Sequence, residues 1–156
     1  MKSLQTIQPK KSSRHYWKSE IKFAWNKATE AFIQVGNLLI QSKDSLEYGE
    51  FLKMVENDLP FSPRTSQRLM VISNDRRISN TTYMSYLPPS WGTLYELTKL
   101  DDVSFKKSIK NGSIHPDMLQ KEAIRLRKKF DYELDEEERI PFIKQRNTKF
   151  QIFNEN

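Results

Sequence analysis

"DLPFSPRTSQRLM", residues 58–70, packs two prolines, two arginines and a run of small polar residues between two apolar stretches. It reads either as a basic loop or as a turn followed by the start of a helix. Ser62-Pro63 favours the helix. Serine is a preferred N-cap, and proline at the first helical position presets the backbone while giving up an N–H that would be unsatisfied anyway. With Ser62 as the cap and 100° per residue, Ser66, Leu69, Met70 and Ser73 share one small, apolar side. Arg64 and Arg68 fall opposite, one turn apart, with Thr65 and Gln67 flanking them. Leu59 and Phe61 are spaced to anchor the preceding turn to a core.

Ahead of the turn, "GEFLKMVEND" (49–58) predicts a short helix with Phe51, Leu52 and Val55 inward. A short helix, a tight turn and a helix with a polar basic front make the helix-turn-helix layout. Arginine can grip guanine O6 and N7 with two donors, glutamine can pair with adenine N6 and N7, and the free N–H groups of a helix start suit a phosphate. A merely solvated face would carry the same residue types. The acid-free front, the following pair Arg76-Arg77, and Lys10, Lys11 and Arg14 near the N-terminus favour a nucleic acid.

Upstream, "SEIKFAWNKATEAFIQVGNLLIQSKDSL" (19–46) places Ile21, Ala24, Trp25, Ala28, Phe32, Val35, Leu39 and Ser42 at steps of three and four. A helix over 20–43 is expected, capped by Ser19, with Glu20 favourable at its positive end. Gly36 inside it costs about 1 kcal/mol against alanine, which close approach of another helix would offset. Phe23, Ile33, Leu38 and Ile40 widen the apolar surface, so this helix can touch two neighbours, one of them a second subunit.

The run "VGNLLIQSKDSLEYGEFLKMVENDLPFSPRTSQRLM" (35–70) resembles a phage and plasmid family of unassigned function, DUF3102-like, in its glycine-centred helix, its "GEFL" and its "FS-R-T-QR-M" pattern. "LPPSWGTLYELTKLDDVSFKKSIKNGSIHPDMLQKEA" (87–123) looks like what often follows that pattern. More loosely, it is similar to the helical segment after the helix-turn-helix of ParB/KorB-type partition proteins. The resemblance covers roughly residues 20–125. It implies DNA binding through the helix-turn-helix, carried by Arg64, Thr65, Gln67 and Arg68. Nothing here looks like the nucleotide-binding and arginine-rich box of ParB, so a CTP-dependent clamp is not implied.

In the second half, "SNDRRISNTTYMSYLPPSW" reads as a connection ordered by Tyr83, Met84, Tyr86 and Leu87. Three helices should follow: one with Leu94, Leu97 and Leu100 inward, and one with Phe105 and Ile109 inward, stopped by Asn111-Gly112. The third has Pro116 in its first turn and Met118, Leu119, Ala123 and Leu126 inward. Lys106, Lys107 and Lys110, then Arg125, Arg127, Lys128 and Lys129, form basic clusters that suit either solvent or phosphates. "DYELDEEE" (131–138) reverses the charge and reads as solvated. "KFQIF" near the end alternates like a short strand or a segment docking on a partner subunit.

The 156 residues carry a net charge of +6 with 29% charged and 37% apolar residues, a composition that allows one core with poorly packed ends and favours a polyanionic partner. No cysteine is present, which removes disulfide and thiolate–metal chemistry, and no apolar run reaches the ~20 residues of a membrane span. The N-terminus lacks the apolar core of a secretory signal. His15 and His115 have no partner spacing for metal ligation or a nucleophile–base pair, and four glycines form no phosphate-cradling loop.

The expectation is therefore an all-α, multi-helix protein: a flexible basic arm (1–18), a helical helix-turn-helix DNA-binding domain (19–130), and an acidic segment with an apolar tail (131–156) suited to oligomerisation. It is expected to be a cytoplasmic, non-enzymatic, cofactor-free binder of double-stranded DNA in a bacterial host cell, acting as a dimeric regulator through Arg64, Thr65, Gln67, Arg68, Arg76, Arg77, Lys10, Lys11 and Arg14. A packaging component of small-terminase type, a partition component on a higher oligomer, and an inhibitor or adaptor of a host protein are the alternatives.

Overall fold

The computed structural model describes residues 13–133, 140–142 and 144–147. Among these the fold is all-α, without a strand. The first helix, α1 (Arg14–Ser45), is 32 residues long, about 48 Å at 1.5 Å per residue. Its cap is Ser13, whose hydroxyl accepts from the Tyr16 amide at 3.1 Å. Ser19 thus lies inside α1, and the last residues assigned to the arm, from Arg14 on, are helical. A helix dipole with no acid in its first turn tolerates this start because Ser13 satisfies one of the orphan amides.

After α1 come α2 (Tyr48–Lys53) and a π-helical turn (Met54–Asp58), which bury Phe51 and Val55 and half-bury Leu52. The helix α3 (Pro63–Asn74) starts as expected, with Ser62 as cap and Pro63 at its first position. Ser66, Leu69, Met70 and Ser73 are buried, and so are Val71 and Ile72, so the C-terminal half of α3 is enclosed on several sides. The connection carries the four-residue α4 (Thr81–Met84) and buries Leu87, whereas Tyr86 is exposed rather than packed on the core.

Leu94 and Leu97 of α5 (Trp91–Leu97) are fully buried, as is Phe105 of α6 (Asp102–Lys110). Gly112 takes a φ of +77°, the left-handed conformation that lets the chain leave α6 at the expected place. The last described long helix, α7 (Gln120–Glu133), begins later than the proline suggested. Pro116 sits in a turn closed by Met118 N–H donating to the His115 carbonyl. The actual start is set by the Glu122 carboxylate, which accepts from the Leu119 amide at 2.6 Å. Leu119 consequently points to solvent, while Met118 and Ala123 are buried.

One hydrophobic cluster joins all of this, from Ile33 and Leu39 of α1 through Met70 and Ile72 to Phe105, Ile114 and Phe130. α1 packs along α3, and α5 bridges α3 to α7. Gly36 lies at the closest approach of α1 and α3. A Cβ there would collide with the Leu69 carbonyl oxygen and stand 2.6 Å from Ser73 Oγ. The N-terminal half of α1 projects beyond this contact. Ile21, Ala24 and Trp25 are exposed there although their spacing continues the apolar pattern, and so is Trp17. The strand reading of "KFQIF" lies outside the described residues, as do Lys10 and Lys11 of the arm and most of the acidic block.

Candidate nucleic-acid interface

The start of α3 is organised by its cap. Ser62 Oγ accepts from the Thr65 amide at 3.2 Å and lies 3.1 Å from the Thr65 hydroxyl, and the Ser66 hydroxyl donates to the Ser62 carbonyl at 3.3 Å. The first turn holds no acid. Arg64 is exposed on it, with Thr65, Gln67 and Arg68 half-buried beside it. All four predicted recognition residues thus lie in the first two turns of one helix, Arg64 and Arg68 on the side away from Leu69 and Met70 and Thr65 and Gln67 at its two edges.

Arg68 is held from the side by α5. Its guanidinium carbon lies 4.9 Å from the centre of the Tyr95 ring and 5.9 Å from that of Trp91. Lys99 Nζ lies 4.5 Å from the Tyr95 ring as well. Beneath them, the buried Glu96 carboxylate accepts from Lys99 at 3.0 and 3.1 Å and faces Arg127 Nε at 3.5 Å. Burial pushes the Lys99 pKa down, Glu96 opposes this, and the charges of Arg127 and Arg68 press it down further. Three cations, Arg68, Lys99 and Arg127, thus gather here against Glu96 and, on Arg127, Asp131. Lys99 was not anticipated from the sequence. Its signal was faint: Tyr95, Glu96 and Lys99 share one side of a helical turn in "YELTK". In the sequence Arg127 is only one member of a distal basic cluster.

The pair Arg76-Arg77 separates. Arg76 is exposed just past the end of α3. Arg77, expected to face DNA beside it, is turned into the fold. It donates from Nε and Nη2 to the two Asp75 carboxylate oxygens (3.0 and 2.7 Å), from Nη1 to the Leu100 carbonyl (2.6 Å) and from Nη2 to the Thr98 carbonyl (3.2 Å). Asp102 lies at 3.3 Å, and the guanidinium rests 4.8 Å from the Phe105 ring centre. Burial alone would lower its pKa, but the hydrogen bond and charge of Asp75, with Asp102 and Asp101, outweigh it and hold the guanidinium above its ordinary value. The rigid five-donor fork is what suits arginine to tie two carbonyls and a carboxylate together.

Arg14 is exposed on the first turn of α1. Lys106, Lys107 and Lys110 are exposed on α6, with Lys107 lying 5.7 Å from the Phe130 ring. On α7, Arg125, Lys128 and Lys129 are exposed, whereas Arg127 is tied to Glu96 and, at 3.4 Å, to Asp131. Asp131, from the segment read as solvated, also accepts from Arg146 at 3.0 Å. A cleft of about 730 Å³ opens past the end of α3, and Arg76, Arg77, Asp101 and Asp102 give it both signs of charge. Among the described residues no three His, Cys, Asp or Glu side chains converge as a metal site would require, and no helix is long and apolar enough to cross a membrane.

The sequence profile of a family described as "Protein of unknown function (DUF3102)" matches residues 19–108, more than half of the chain. The chain belongs to this family. The DUF3102 region runs from the second turn of α1 almost to the end of α6, and so includes Arg64, Thr65, Gln67, Arg68, Tyr95 and Lys99 but not Arg127. The match carries no statement about a helix-turn-helix or about partition proteins of the ParB/KorB type. No curated protein and no solved structure matches the chain.

Proposed function

We propose that this DUF3102 protein is a sequence-specific double-stranded DNA-binding regulator of phage or plasmid type, with α2, the π-helical turn and α3 acting as a helix-turn-helix. The observation that carries the reading is the acid-free, Ser-Pro-capped start of α3, exposed at Arg64, with Arg68 braced over Tyr95 beside Lys99 and Arg127. A recognition helix reads base edges with the side chains near its N-terminus, and Arg64, Thr65, Gln67 and Arg68 occupy that position. Arg64 and Gln67 are assigned to base edges. Arg68 is stiffened by two aromatic rings and so reaches a base or phosphate with less ordering cost than a freely moving arginine. Lys99 and Arg127 supply positive potential at the flank. Arg76 and Arg14, with Lys10 and Lys11, are assigned to the phosphate backbone, where contacts position the protein without reading sequence.

Selection of bound fragments from a random duplex pool tests the reading. Enrichment of one common motif is the expected result. Retention of duplexes without any shared motif, or no retention at low salt, would show that α3 does not read base edges.

A further inference from the structure

The N-terminal half of α1 carries an apolar seam that nothing among the described residues covers. Trp17, Ile21, Ala24 and Ala28 recur at steps of four, three and four, the spacing of a coiled-coil seam. Trp17 and Ile21 are 55% and 65% exposed, Ala24 is exposed and Ala28 half-buried. Trp25, 62% exposed, borders the seam. From Thr29 on the helix buries Thr29, Ile33, Gly36 and Leu39, with Gly36 against α3, so the seam belongs to the part of the 32-residue α1 that precedes its buried residues.

We propose that this overhang pairs with the same segment of a second copy of the chain as an antiparallel two-helix coil. Its register sets Trp17 against the partner's Ala28 and Ile21 against the partner's Ala24. Each large side chain then meets a small one, twice over by symmetry, as a packed layer requires. The flanks agree with this register. In an antiparallel coil Glu20 falls beside the partner's Lys27, so two opposite-charge pairs form across the interface. Lys18 falls beside the partner's Trp25, a cation over the indole ring. Lys27 already lies along the helix surface, 4.8 Å from the Phe23 ring, and needs only a side-chain rotation to reach the carboxylate.

Other pairings are poorer. A parallel in-register coil would stack Ala24 on Ala24 and Trp17 on Trp17, leaving a void beside an overfilled layer, and would pair Glu20 with Trp25 and Lys27 with Phe32 without a charge match. Sliding the antiparallel pair by one heptad sets Lys27 against Lys27. Two tryptophans and an isoleucine from each chain, with the alanines between them, bury about 1,000 Å² in total, the threshold of a specific interface. This inference does not depend on the DNA reading.

Mass in solution, measured by light scattering on the full chain at tens of micromolar, tests it. The expected mass is twice 18.6 kDa. Ala24→Trp fills the seam at an exposed position, so it should weaken the dimer by at least about tenfold while helicity by circular dichroism is unchanged. Glu20→Lys and Lys27→Glu should each weaken it by roughly fivefold, and the double reversal should restore it. A wild-type mass of 18.6 kDa, or a dimer indifferent to Ala24→Trp, would overturn the interface. Single reversals without effect, or a double reversal weaker than either, would overturn the antiparallel register. DNA selection performed on Ala24→Trp at a concentration where its mass is 18.6 kDa separates failure of this interface from failure of the α3 reading.

Discussion

The Arg68 guanidinium lies over the Tyr95 ring, 4.9 Å from its centre, and this contact ties the exposed front of α3 to α5. Lys99 shares the same ring at 4.5 Å. Tyr95→Leu keeps the apolar bulk but removes the π-face on which both cations rest. Both cation–π contacts, about 0.5–2 kcal/mol each, are made within the fold, so the thermal midpoint should fall by several degrees, and the freed Arg68 should weaken affinity for a selected duplex several-fold. Titration of the variant at fixed salt measures this; unchanged affinity would separate Tyr95 from the binding face.

Arg77 and Arg76 should part company under mutation. Arg77→Ala takes the guanidinium from the buried Asp75 carboxylate and from the Leu100 and Thr98 carbonyls, and should cost about 3–5 kcal/mol of stability. Arg77→Lys should recover little, since one ammonium cannot reproduce the fork. Arg76→Ala should leave the denaturation midpoint in place and lower DNA affinity for all sequences alike, with a shallower salt dependence. Urea denaturation and salt titration of the two variants distinguish them directly.

Gly36→Ala places a methyl group against the Leu69 carbonyl and the Ser73 hydroxyl. The gain in helix propensity is about 1 kcal/mol, but overpacking at a backbone contact costs more, typically 1–3 kcal/mol and upward. A net loss of stability is expected, and Gly36→Ala more stable than wild type in urea would contradict the close packing of α1 on α3.

Lys99 makes the stability depend on alkaline pH. Its folded pKa is below the ordinary 10.5, so between the two values the unfolded chain binds more protons than the folded one. Stability should therefore rise with pH as 10.5 is approached from below, and the Lys99 penalty should be fully present below its folded pKa. Compared with Lys99→Met, the wild-type chain should gain relative stability across that window. A difference that is flat in pH would mean Lys99 keeps its ordinary pKa in the fold.

Several elements were legible because their signals are local. Ser62-Pro63, Asn111-Gly112 and the mid-helix Gly36 each state a backbone requirement that neighbouring residues cannot alter, and each occurs in the fold as read. The apolar side of α3 followed from Ser66, Leu69 and Met70 at helical spacing. What sequence could not convey depends on distant partners or on competition between similar signals. Ser13 and Ser19 are both competent caps, and only the outcome at Ser13 shows that α1 reaches beyond the core. Pro116 offers a helix start that Glu122 overrides by bonding the Leu119 amide. Arg77 resembles its exposed neighbour until Leu100 and Thr98, more than twenty positions away, are brought to it. On the candidate face, Arg64 to Arg68 were visible from one helix, but Lys99 and Arg127 join Arg68 only through the packing of α5 and α7.

The central claim is that the start of α3 reads DNA. It is tested most directly by the fluorescence anisotropy of a selected duplex with wild type, Arg64→Ala and Arg68→Ala at one salt concentration. Each substitution is expected to cost about 1–3 kcal/mol for the selected site, with much less effect on an unrelated duplex. Equal affinity of all three proteins for the selected site would contradict the account.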